Sequence, residues 1–125
     1  MNFVDSAFNL IGSGVSIFYG VPSTYRILLK YQDRFKKAFA NVRTAASAGG
    51  GMDKAIVKEI RKLAPHIEIL PMYGQTEATA RLAYVPAEDV DKFVDTIGKA
   101  IPGVALDVFD SEYRQVGPNV TGELV

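Results

Sequence analysis

The chain has 125 residues, of which 48% are hydrophobic and 22% charged, and its fourteen basic and fourteen acidic residues cancel. That length suits one domain burying roughly two thirds of its unfolded surface, and the composition excludes the disordered and fibrous classes. With the charges interspersed, neither a nucleic-acid surface nor an anionic-membrane surface is expected, and the absence of cysteine excludes disulfides, thiolate zinc sites and cysteine nucleophiles. The first residues carry neither a basic leader nor a long apolar stretch, so the expectation is a cytoplasmic protein without a membrane span.

Val4, Ala7, Phe8 and Ile11 recur at helical spacing and Gly12 and Gly14 follow as a stop, which predicts a first amphipathic helix. Residues 15–20, VSIFYG, read as a short buried strand, with Phe18 and Tyr19 dividing between core and cleft in an order that period-two alternation does not fix. Pro22 and Ser23 open a second helix, with Ser23 as its candidate N-cap, Tyr25, Leu28 and Leu29 on one face, and an end near Tyr31. DRFKKAF then reads as a basic connector or short helix. VRTAAS, residues 42–47, is the second strand and ends in the glycine run 49–51. Asp53 is the cap of a third helix, because Ile56, Ile60 and Leu63 share a face while Lys54, Lys58, Arg61 and Lys62 point away from it. Pro65 ends that helix, and IEILPM supplies a third strand.

Three strands separated by two helices imply a parallel sheet with right-handed crossovers, and ligands of such sheets collect beyond the carboxyl ends of the strands. All three ends are unusual: YGVPS, SAGGG and YGQTEAT. The expected fold class is therefore α/β, a parallel three-layer α/β/α unit over residues 1–80, followed over 81–125 by a few antiparallel strands. RLAYV is a candidate strand, residues 86–96 are acidic and read as a loop, and VALDVFD and TGELV alternate as antiparallel strands do, with SEYRQVGPNV turning between them. The last strand runs into the C-terminus without a closing turn, as in an internal piece of a larger domain.

Two stretches carry candidate chemistry, each beside a plainer reading. The glycines at 49–51 let a flat ligand approach the backbone near a helix N-terminus, or they form an ordinary strand-to-helix loop; no Gly-Lys-Ser/Thr follows, which excludes a P-loop. Thr76 and Glu77 pair a hydroxyl for a phosphate with a carboxylate for its magnesium, beside Tyr73 as a stacking ring and Gly74 as a hinge. The plainer alternative is a helix start capped by Thr76. His66, the single histidine, has no Asp or Ser at a triad spacing and reads as a surface or strand-edge residue.

Taken together, these segments resemble the acyl-adenylate-forming superfamily of acyl-CoA synthetases, peptide-synthetase adenylation domains and luciferase-like ligases. MYGQTEAT resembles its aromatic-Gly-x-Thr-Glu motif, and TAASAGGGMDKAIVKEI its Ser-Gly-Gly-Ala loop and following helix. IFYGVPSTYRILL is similar to its Val-Pro-Thr strand and helix, and TIGKAIPGVALDVFD with TGELV to its later Gly-Lys-Pro and Gly-Glu-Leu segments. Four elements in the family's order span nearly the whole chain. Gly51 and Met52 depart from the frequent Pro and Leu, and Gln75 falls at a variable position.

The resemblance implies roles for individual residues. Tyr73 would pack on adenine within the Tyr73, Gly74, Gln75, Thr76 motif, Thr76 would contact the AMP phosphate, and Glu77 would bind Mg2+. Ala48, Gly49 and Gly50 would line the adenine and acyl group, and Tyr19 and Gly20 a wall of the acid pocket. ATP, a carboxylic acid and CoA would be the substrates of an AMP-forming ligase, of fatty acyl type; the alternatives are an adenylation domain loading a carrier protein and a non-catalytic nucleotide-binding or structural module. The family's phosphate loop, ribose-binding Asp and catalytic Lys match nothing in these residues, so the chain is expected to be an internal part of the large domain, partnered by the remaining segments of a parent chain and inactive alone.

Overall fold

A computed structural model describes residues 2–125. Helix α1 spans Phe3–Gly12 and buries Phe8 and Ile11, as the apolar spacing requires, and the Asn2 side chain caps it by accepting the Asp5 N–H at 2.9 Å. Strand β1 covers Ile17–Gly20 and helix α2 Pro22–Leu29. Here the expected cap is displaced: Val21 occupies the N-cap without a side-chain bond, and Ser23 lies inside the first turn. Pro22 decides this, since its fixed φ and missing N–H suit the first helical position. Tyr31 begins helix α3, Gln32–Ala38, which runs into a single 3-10 turn at Phe39–Asn41.

The segment read as a basic connector or short helix is the helix α3, and it holds part of the core. Phe35 and Phe39 are fully buried, and their rings stack with centroids 3.9 Å apart. Strand β2, Thr44–Ser47, leads through the glycines to helix α4, Lys54–Leu63, whose apolar face buries Ile56, Val57, Ile60 and Leu63. Asp53 caps α4 as expected, accepting the Ile56 N–H at 2.9 Å, and a salt bridge to Arg26 ties that cap to α2.

Strand β3, Glu68–Gln75, continues past the end assigned to it and turns back into β4, Thr79–Tyr84, so YGQTEAT forms a hairpin and no helix starts at Thr76. The acidic stretch contains a short helix α5, Val90–Phe93, held by buried Val90 and Val94, and strand β5 follows at Lys99–Ala100. One five-stranded sheet results, ordered β1-β2-β3-β4-β5, parallel from β1 to β3 and antiparallel from β3 to β5. This is the α/β class with an antiparallel continuation that the sequence predicts.

Phe18, Ala45 and Ile69 share one face of the sheet and pack with the helices into a single core. Alternation then sends Ile17 and Tyr19 the other way, and they are 51% and 59% exposed. Tyr25 locks α2 to the sheet edge: its fully buried hydroxyl donates to the Ala46 carbonyl at 2.7 Å, and burial pushes its pKa upward. The two C-terminal strands are shorter than their alternation suggests, β6 being Val108–Phe109 and β7 Glu123–Leu124. Asp110 diverts the chain after β6, because its side chain accepts the N–H groups of Glu112 and Arg114 and closes a turn.

Candidate functional site

The carboxyl ends of the three parallel strands meet at one edge, with Gly20, Ser47 and Pro71 aligned across the sheet. Gly49 and Gly50 leave this edge against the Val21–Pro22 corner: a Cβ on Gly49 would lie 3.4 Å from Val21, and one on Gly50 3.6 Å from Pro22. Gly49 also has φ of +75°, a conformation that side chains resist. The glycine run is therefore a shaped loop, fitted to the neighbouring strand end.

Between this loop and the end of β3 lies an open cleft of 510 Å3. Gly49, Gly50, Gly51 and Met52 form one wall, and Pro71, Met72, Tyr73 and Gly74 form the second. A third wall, Val94 to Ile97, was not expected from the sequence. The signal for it was the i, i+4 pair Val90 and Val94, which are 0% and 2% exposed and anchor this stretch despite its acidic composition.

Tyr73 is held at the cleft through its hydroxyl, which accepts a hydrogen bond from the Gln75 side chain. Gly74 sits where the pairing of β3 with β4 shifts register, and a Cβ there would come within 2.4 Å of the Ala80 backbone. Only glycine lets β4 approach this closely, so Gly74 is demanded by the hairpin itself. Thr76 and Glu77 lie beyond the bulge on the exposed turn, outside the cleft walls, and their side chains make no hydrogen bond or ion pair among the described residues.

The remaining predicted residues are distributed around the same edge. Ala48 leads from β2 into the glycine loop, its N–H donating to the Gly20 carbonyl at 3.3 Å. Gly20 is half-buried between the Phe18 and Tyr25 rings. Tyr19 lines a second, apolar groove of 430 Å3 against α1 rather than the cleft, and the Arg81 side chain reaches its hydroxyl at 3.5 Å. His66 is exposed at the start of β3, with Nε2 3.3 Å from the Phe39 carbonyl.

Two carboxylates near the edge are held ionised. Hydrogen bonding from Arg26, reinforced by the Ile56 N–H, lowers the Asp53 pKa, and hydrogen bonding from Lys54 lowers that of Asp95. Ser47 differs from both: it is 1% exposed and its hydroxyl has no hydrogen-bond partner. No group of three or more metal-ligating side chains exists among the described residues. Glu77 is an exposed carboxylate with no hydrogen bond or ion pair among the described residues, and a magnesium ion can be bound through one or two carboxylates with water and substrate phosphates completing its shell.

A parallel α/β edge with a cleft beyond the carboxyl ends of its strands is where ligands of open α/β sheets bind. Over residues 4–125 the chain matches the family described as AMP-binding enzyme, and it belongs to that acyl-adenylate-forming family. A 3-[(3aS,4S,7aS)-7a-methyl-1,5-dioxo-octahydro-1H-inden-4-yl]propanoyl:CoA ligase of Rhodococcus jostii (strain RHA1) is 27% identical over 85% of this chain and 21% of its own length. The hybrid PKS-NRPS synthetase mpsA of Macrophomina phaseolina (strain MS6) is 27% identical over 93% of this chain and 3% of that protein. The crystal structure of a benzoate CoA ligase from Burkholderia xenovorans LB400 superposes with a TM-score of 0.85 at 24% identity, covering 98% of this chain and 25% of that one. The chain thus spans about a fifth of the Rhodococcus ligase. Among the described residues, no helix is long and apolar enough to cross a membrane.

Proposed function

We propose that this chain forms part of the nucleotide site of an AMP-forming carboxylic acid:CoA ligase, in which a carboxylate attacks the α-phosphorus of ATP to give acyl-adenylate and pyrophosphate. A thiol of CoA then displaces AMP to form the thioester. The observation that carries this reading is the convergence of Gly49–Gly51 and Tyr73 on one cleft. In it the Tyr73 ring stacks on adenine, with Ala48, Gly49 and Gly50 along the opposite face and Gly74 and Gln75 setting the ring's position. Thr76 donates its hydroxyl to the α-phosphate.

Glu77 would hold the Mg2+, which when bound supplies positive charge against the phosphoryl oxygens. Tyr19 and Gly20 border the acid, and the apolar groove beside Tyr19 supports a fatty acyl type of substrate. A cytoplasmic location belongs to the same proposal. A second reading, an adenylation domain that loads a carrier protein, is favoured by the similarity to the hybrid PKS-NRPS synthetase.

Acid-dependent AMP formation, measured with ATP, magnesium and a panel of fatty and aryl acids, tests the proposal on this chain and on a version extended at both ends. Turnover only in the extended version, with CoA as acceptor, is the expected result. Turnover by the chain alone would contradict the claim that it is a part, and folded but inactive extended protein would contradict the ligase.

A further inference from the structure

We infer that Asp95 selects the base of the bound nucleotide, its carboxylate accepting a hydrogen bond from the exocyclic amine of adenine. The inference rests on the nucleotide reading above and extends it to a residue outside every motif that led there. The glycine wall offers backbone without side chains, and Met52, Met72, Val94 and Ile97 offer apolar surface. Such surfaces accept any flat base and discriminate little among bases. Selection requires a polar side chain with spare capacity.

Three polar side chains line the cleft: Tyr73, Asp95 and Thr96. The Thr96 hydroxyl is committed locally, donating to the Phe93 carbonyl at 2.8 Å and accepting the Gly98 N–H at 3.1 Å. The Tyr73 hydroxyl accepts from Gln75 and keeps its own O–H to donate, so what it offers a base is a donor, whereas an exocyclic amine needs an acceptor. Asp95 pairs through Oδ2 with Lys54 Nζ at 3.2 Å. A carboxylate carries about four lone-pair sites on two oxygens, so this pairing leaves acceptor capacity on a side chain that lines the cleft and is 61% exposed.

The strap that carries Asp95 is fixed on both sides. Val94 before it is 2% exposed, and Gly98 after it has φ of +78°, with its Cβ position only 2.0 Å from the Tyr84 carbonyl oxygen. An ionised carboxylate accepts and never donates, and adenine presents an amine where hypoxanthine presents a carbonyl oxygen. Asp95 therefore favours adenine and repels its oxo analogue.

The test is the pair of dissociation constants for ATP and ITP, measured by titration calorimetry on this chain, on Asp95→Asn and on Lys54→Ala, each checked for native fold by NMR. The starting chain should bind ATP roughly tenfold more tightly than ITP, as a hydrogen bond to a charged group allows. Asp95→Asn, whose amide both donates and accepts, should bring the two within about twofold while ATP still binds, given that asparagine supplies both roles. Lys54→Ala should keep the preference. An unchanged ratio in Asp95→Asn, an equal ratio at the start, or a collapse in Lys54→Ala as large as in Asp95→Asn would overturn the inference. Absence of binding by either nucleotide to the unaltered chain would instead refute the nucleotide reading, and the inference with it.

Discussion

The bodies of the parallel strands and their carboxyl ends are built from opposite materials. Within the bodies, Ala45, Ala46 and Ile69 are fully buried. One to three residues past the strand ends at Ser47 and Gln75, the chain is glycine and exposed hydroxyl or carboxylate, as at Gly49, Gly50, Thr76 and Glu77. Stability resides in the first region, and the second is where we propose that the nucleotide binds, since a site that admits a ligand cannot bury its own walls. Substitutions should therefore divide into those that unfold the protein and those that leave it folded without its ligand.

The largest effect is expected deepest in the body. Phe39→Ala removes a fully buried ring that stacks on Phe35 and meets Phe18 edge-on, and it should cost about 3–5 kcal/mol in urea unfolding. Gly74→Ala lies on the boundary between the two regions. Its Cβ would collide with the Ala80 backbone, so it should cost about 1–3 kcal/mol and also displace Tyr73, lowering AMP affinity. A stable Gly74→Ala protein with unchanged AMP binding would erase the boundary.

Asp53→Ala should cost about 1 kcal/mol through the lost helix cap. The Asp53 pKa is lower in the folded protein than in the unfolded chain, so its contribution is complete above the ordinary carboxylate value of 3.8 and fades as pH falls through the folded value. Asp53→Asn should flatten that acid limb of the stability profile. Ser47→Ala has the opposite sign: deleting a buried, unpartnered hydroxyl should leave stability unchanged or raise it by about 1 kcal/mol. Smallest of all, Thr76→Ala and Glu77→Gln should shift stability by no more than about 0.5 kcal/mol, being exposed on the turn. Both should nevertheless weaken binding of magnesium-ATP, and a calorimetric titration that finds neither variant impaired would remove them from the site.

The bodies of the helices and strands were legible because burial imposes simple patterns, as in the Ile56, Ile60 and Leu63 face of α4 or the uncharged run from Ile69 to Gln75 in β3. Caps followed the same logic at Asp53 and failed at Ser23, where a proline one position earlier set the helix start. Less legible was whatever depends on contacts distant in sequence. The hairpin after Gln75 is fixed by β4 pairing with β3, which local propensity around Thr76 does not encode. Likewise Asp95 reaches the cleft only because Val94 and Gly98 fasten its strap, whereas its acidic neighbourhood reads as solvated loop. Phe18 and Tyr19 could be divided between core and exterior only once the register with Ala45 and Ala46 was known.

The central claim is that Gly49–Gly51 and Tyr73 enclose an adenine nucleotide, and an NMR titration of this chain with AMP tests it most directly. Saturable shifts should appear at the amides of Gly49, Gly50, Gly51 and Tyr73, while Phe35 and Val42 in the core stay still. Saturation with no change at the glycine loop, or shifts confined to another surface, would contradict the account.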